Sequence, residues 1–117
     1  MHEAGIAQNI LRIVEEAARV NRLSRVKTIL LEIGQFSGVG VEALEFAFDA
    51  LSGRTILEGA EIVYQTPPLV LFCINCQNEY LADCEDLRCP ACMGTESTVV
   101  QGQELVVKSI IGQSDGD

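Results

Sequence analysis

Cys73-Ile74-Asn75-Cys76 and Cys89-Pro90-Ala91-Cys92 are two C-x-x-C knuckles separated by twelve residues. Each spacing lets one tight turn aim two thiolates at a common point, and two such turns supply the closed four-sulfur set of a structural zinc site. Pro90 fixes a backbone angle in the second turn, and Gly94 is expected to take a positive φ just after it. A redox dithiol would instead place one C-x-x-C after a strand and at the opening of a helix. An iron–sulfur cluster is the other centre that four thiolates serve. The paired spacing favours zinc at Cys73, Cys76, Cys89 and Cys92. Cys84 lies outside both knuckles and reads as a free thiol or a small filler. A segment of about thirty residues cannot bury an adequate core, so a metal staple is expected there. Only a few apolar side chains, such as Leu71, Tyr80 and Leu87, can pack within it, and the segment should lose order without its metal.

A second constellation stands at the start. The chain begins Met1-His2-Glu3, and His2 is its single histidine. A free terminal amine, the His2 amide nitrogen, the His2 imidazole and the Glu3 amide can close adjacent small rings around four coplanar nitrogens. That set suits Ni(II) or Cu(II) rather than structural zinc. The spacing alone leaves open that His2 is an exposed bystander.

Charge narrows the partners. Seventeen acidic against eight basic residues give a net charge of −9. Residues 1 to 27 carry +2 and the remainder −11, so the cations gather at Arg12, Arg19, Arg22, Arg25 and Lys27. A chain this acidic repels phosphate backbones. The knuckle segment holds Glu79, Asp83, Glu85 and Asp86 against Arg88, with no basic stripe or aromatic platform. Nucleic acid is therefore not an expected partner. The acid excess serves either solubility or the attraction of metal and partners. No apolar run approaches the ~20 residues of a membrane span, and the first residues lack the basic start of a signal peptide. An odd cysteine count, with all five within residues 73 to 92, is unlike a secreted disulfide scaffold. A cytoplasmic protein away from membranes is expected. The absence of a nucleophile–base pair and of a phosphate loop argues for a non-enzyme.

The elements that must position these groups follow from periodicity. Residues 4 to 21 repeat Ile6, Ile10, Ile13, Val14, Ala17 and Ala18 at helical spacing as a core-packing stripe, with Asn21 as the stop. Residues 26 to 33 alternate as a strand with Ile29, Leu31 and Ile33 on one face. Gly34, Ser37, Gly38 and Gly40 predict a flexible loop. Val41, Leu44, Phe48 and Leu51 mark a second helix ended by Gly53. Glu61 to Gln65 and Glu104 to Ile111 read as strands, the first stopped by Pro67-Pro68, and Gln113 to Asp117 as a frayed end. The expected architecture is α+β: a small sheet with both helices on one face, formed by residues 1–67 plus 100–117, with residues 68–99 inserted as a zinc ribbon. The two strands flanking the insertion are expected to run antiparallel, since no crossover helix separates them.

Taken together, the chain resembles the nickel-incorporation accessory proteins of NiFe-hydrogenase maturation, the HypA/HybF family. The resemblance rests on Met1-His2-Glu3, Leu31-Glu32-Ile33-Gly34 with Ser37-Gly38-Val39, and Glu42-Ala43-Leu44 with Phe46-Ala47-Phe48. It continues through Glu58-Gly59-Ala60, both knuckles with Leu87-Arg88 leading the second, and Val107-Lys108-Ser109-Ile110. It implies a nickel metallochaperone that holds transported Ni(II) at Met1, His2 and Glu3 and structural Zn(II) at the four cysteines. It also implies a partner GTPase of the HypB type and docking on the hydrogenase large-subunit precursor. The rival readings are a zinc-ribbon adaptor that bridges partners without carrying nickel, and a thiol redox protein.

Overall fold

The computed structural model describes residues 3–114. Its elements are α1 (Glu3–Val20), β1 (Leu23–Ile33), α2 (Val41–Ser52), β2 (Glu61–Gln65), β3 (Leu69–Cys73), β4 (Asn78–Ala82), β5 (Ser97–Gln101) and β6 (Leu105–Ser114). The fold is α+β, with two three-stranded sheets ordered β2-β1-β6 and β4-β3-β5. The chain divides into two compact units. One takes residues 1–31, 39–64 and 106–117; the other takes residues 32–38 and 65–105.

In the first unit, α1 buries Ala7, Ile10, Val14 and Ala18, a stripe at helical spacing. It packs against α2, which buries Leu44, Phe48 and Ser52. Val26, Ile29 and Leu31 of β1, together with Leu57, complete the buried set. α1 stops where expected: the Asn21 side-chain amide donates to the Ala17 carbonyl at 2.8 Å, and Arg22 then turns left-handed at φ 57°. α2 also ends where expected, with Gly53 as its C-cap. Gly53 is extended at φ −57°, ψ 135°, and Arg54 takes the left-handed turn at φ 65°.

The strands flanking the insertion are not neighbours, because β1 lies between β2 and β6. The Ser24 hydroxyl donates to the Gln113 carbonyl at 3.2 Å, and the Gly34 amide to the Glu104 carbonyl at 2.8 Å. Partners thus fall in opposite order along the chain, so β6 runs antiparallel to β1. Gln113 and Ser114, expected to be part of a frayed end, belong to β6; residues 115–117 of that expectation lie outside the described residues.

In the second unit, β3 pairs antiparallel with β4 (Leu71↔Tyr80) and with β5 (Leu71↔Val99), with an irregularity between Val70 and Leu71. Its core is Leu69, Leu71, Cys73, Tyr80 and Cys89, joined by Phe36, Cys76, Ala82 and Val99. Phe36 comes from the loop that the glycines predicted to be flexible. The loop is held instead: the Phe36 amide donates to the Gly102 carbonyl at 2.6 Å. Leu87, expected inside, has its side chain at the surface. Its carbonyl accepts the Tyr80 hydroxyl at 2.6 Å, so it serves this unit through its backbone.

Candidate metal centre

The first knuckle is the turn of the β3–β4 hairpin. The Gln77 amide donates to the Cys73 carbonyl at 2.8 Å, Gln77 adopts φ 60°, and the Cys76 amide points at Cys73 Sγ at 3.4 Å. The second knuckle repeats this turn without a hairpin around it. The Met93 amide donates to the Cys89 carbonyl at 2.7 Å, and Met93 adopts φ 61°. The left-handed positions are therefore Gln77 and Met93, one after each second cysteine, and not Gly94. Gly94 has a different role. Its amide points at Cys92 Sγ at 3.4 Å, and a Cβ there would stand 3.2 Å from that sulfur. The position needs space for the sulfur rather than an unusual φ.

Asp83 shapes the approach to the second knuckle, its Oδ1 accepting from the amides of Glu85 and Asp86 at 2.8 and 2.9 Å. Asp86 in turn holds the Arg88 guanidinium at 2.9 Å. The Tyr80 hydroxyl bond to Leu87 then ties this approach to β4.

The result brings the sulfurs of Cys73, Cys76, Cys89 and Cys92 within 4.8 Å of one another. Cys73 and Cys92 are 3.7 Å apart, and Cys89 and Cys76 are 3.9 Å apart. Both distances are far beyond a disulfide bond of ~2.05 Å. A regular tetrahedron with Zn–S of ~2.3 Å has sulfur–sulfur edges of about 3.8 Å, so the four thiols fit one zinc ion. A multi-iron cluster would spread its cysteines wider. Cys73 and Cys89 are buried, whereas Cys76 is half-buried and Cys92 exposed.

The thiols share charge unequally. The backbone amides of Cys92 and Ala91 pull Cys89 down to about 7. Hydrogen bonding to Cys92, followed by desolvation, pushes Cys76 up to about 12. These two thiols are pushed in opposite directions within one group, and a divalent cation would favour the thiolate form of both. Cys84 stands apart, exposed, its Sγ 3.1 Å from Gln35 Oε1.

Met1 and His2 lie outside the described residues. Glu3 opens α1, and its Oε2 accepts the Gly40 amide at 3.1 Å. Sequence reasoning missed this contact, and it missed Phe36. A single aromatic in a stretch of glycine and serine was the available signal for Phe36. A shallow groove of about 960 Å³ also runs along α1, lined by Arg12, Arg19 and Arg22 with Glu15 and Glu16 among them, and by Ile13, Leu23 and Ile56.

Comparison with known proteins agrees with this geometry. Residues 1–111 match the family described as hydrogenase/urease nickel incorporation, metallochaperone, hypA. Hydrogenase maturation factor HypA of Roseiflexus sp. is 37% identical over 116 residues, covering 98% of this chain and 94% of that one. Its counterpart in Albidiferax ferrireducens is 36% identical over 110 residues, covering 94% and 97%. The solution structure of the Ni metallochaperone HypA from Helicobacter pylori superposes with a TM-score of 0.69 at 19% identity, covering 98% of this chain and all of that one. At that identity the likeness concerns the fold.

Proposed function

Because this chain belongs to the HypA family of nickel-incorporation metallochaperones for hydrogenase maturation, we propose that it carries Ni(II) at Met1, His2 and Glu3 and delivers it to the hydrogenase large-subunit precursor. The observation that carries this reading is the family match, which begins at Met1 and so includes the terminal tripeptide. The cargo site is expected to use the Met1 amine, the His2 amide and imidazole, and the Glu3 amide, a planar nitrogen set suited to Ni(II). A chain end opens easily, as a site that must surrender its metal requires.

Cys73, Cys76, Cys89 and Cys92 are assigned to structural Zn(II), on the support of their tetrahedral spacing. Residues 1–67 plus 100–117 form the nickel domain in this reading, and residues 68–99 the inserted ribbon. A GTPase of the HypB type is the proposed partner at the groove of α1, supported by the excess of cations over residues 1–27 of an otherwise acidic chain.

Nickel titration of untagged, zinc-loaded protein tests the cargo site. His2→Ala should abolish specific binding with zinc retained. One residue added ahead of Met1 should weaken binding nearly as much, because the amine leaves chelating reach. Affinity should fall as the pH drops, since amide and imidazole nitrogens bind only without their protons. Equal affinity in the extended and native chains would remove the amine from the ligand set. Absence of nickel binding with zinc intact would leave the adaptor reading.

A further inference from the structure

The metal-binding unit, residues 32–38 and 65–105, holds seven carboxylates against the single guanidinium of Arg88, a net −6. Asp86 already takes that guanidinium at 2.9 Å. The same unit carries a groove of about 510 Å³, lined by Leu81, Pro90 and Met93 together with Asp83, Asp86 and Arg88. Two of its apolar side chains break local rules. Leu81 is 73% exposed on a strand at the border of its sheet, since β4 is outermost in the order β4-β3-β5. Edge strands are usually guarded by charge or proline, because their open main chain invites another strand. Leu81 instead offers an apolar side chain. Met93 is 53% exposed and holds the left-handed turn after Cys92 at φ 61°, a conformation uncommon for residues with a long side chain. The first knuckle fills the equivalent turn with Gln77 at φ 60°, so the turn itself does not ask for methionine. A methionine at a surface is an adaptable apolar contact, and departures from local rules gather at functional sites.

The pleat sets charges around Leu81. Glu79 and Leu81 share the exposed face of β4, with Tyr80 on the buried one. Exposed Asp83 follows directly after the strand. A chain laid along β4 therefore meets carboxylate, leucine and carboxylate at alternate positions. We propose that the groove and the open edge of β4 dock an extended, lysine- or arginine-bearing segment of a partner protein, in the pattern cation-x-apolar-x-cation. Charge complementarity selects this occupant. Each cation faces a carboxylate across the strand pair, the central apolar side chain covers Leu81 and Met93, and main-chain hydrogen bonds to β4 keep the segment extended. The pattern reads the same in both directions, so either strand polarity satisfies it. A nucleic acid or an anionic membrane surface is repelled by this unit, and a second copy would bring the same acidic groove. The surface is separate from the terminal tripeptide and does not depend on nickel being the cargo.

The test titrates full-length, zinc-loaded protein with a capped peptide, Thr-Lys-Thr-Leu-Thr-Lys-Thr, and follows amide NMR. The peptide should bind saturably, move the signals of Leu81 and Met93, and bind more weakly as added salt screens the charges. Its counterpart with glutamate in place of lysine should not bind. Leu81→Ser should weaken binding by about tenfold, the worth of one apolar side chain taken from water. Met93→Gln, which copies the first knuckle, should weaken it severalfold. Both side chains are exposed, so zinc content should be unchanged in either variant. Equal binding of the glutamate peptide, native affinity in Leu81→Ser, or no saturable binding of the lysine peptide would overturn the proposal. Groove signals that move on dilution without peptide would make this face a contact between two copies, and would overturn it equally.

Discussion

A thiol and a hydroxyl differ little in size, yet only the thiolate is a strong ligand for a soft cation. Serine at position 73, 76, 89 or 92 therefore tests ligation with little change in packing. Each should strip zinc from the purified protein and disorder the β4-β3-β5 sheet, because Cys73 and Cys89 are also part of its core. Cys84→Ser should keep a full complement of zinc, since that sulfur lies outside the four-sulfur group. Elemental analysis with amide NMR decides the matter. Zinc retained in Cys89→Ser, or lost in Cys84→Ser, would refute the ligand assignment.

Among the elements, the loop between β1 and α2 is the least expected. The Gly34 amide bonds to Glu104, the Phe36 amide bonds to Gly102, and the Phe36 ring packs on the core of the metal-binding unit. Gly34 is there for clearance: a Cβ would collide with the Gly102 backbone. Gly34→Ala should destabilise this unit by about 2–3 kcal/mol through overpacking. Phe36→Ala should cost about 2 kcal/mol, less than a fully buried phenylalanine because Phe36 is half-buried. Both should speed zinc release to a chelator and lower the thermal midpoint; unchanged release would show that the loop does not support the site. Local patterns had already disclosed much else. Ile10, Val14 and Ala18 of the helical stripe, the alternation of Ile29, Leu31 and Ile33, and the paired knuckles are all short-range signals, and the structure uses them as expected; Ile13, read on the same stripe, is exposed, and Ala7 is buried instead. Phe36 in the far core, Glu3 on Gly40, and β1 between β2 and β6 are contacts between distant segments. Periodicity carries no record of such contacts. Gly94 shows a subtler limit: a glycine signals freedom, and here the freedom needed was room for a sulfur.

At the scale of the whole molecule, charge is unevenly spread over a chain of net −9. Arg19 is paired with Glu16 at the surface, an arrangement that contributes little to stability, so its guanidinium can turn to a partner at small cost. Reversing Arg19 and Arg22 to glutamate should slow association with the GTPase at low salt, and the difference should shrink as salt screens it. An unchanged on-rate would remove these residues from the interface.

The order of the strands also bears on how the molecule is assembled. Ser24 and Gln113 are 89 positions apart and must meet before β6 can join β1. Within the metal-binding unit Val70 lies opposite Gln101, so once that hairpin-like ribbon has formed, a long stretch of chain spans almost no distance. Closing the stretch between Val70 and Gln101 shortens the free loop from 89 to about 58 residues, which lowers its closure cost by ~0.4 kcal/mol, a factor of about two in rate. Zinc captured early would then shorten the search by which the last strand finds its place. Stopped-flow refolding with and without zinc should show the β1–β6 pairing forming about twofold faster with the metal, and equal rates would mean that the ribbon closes last.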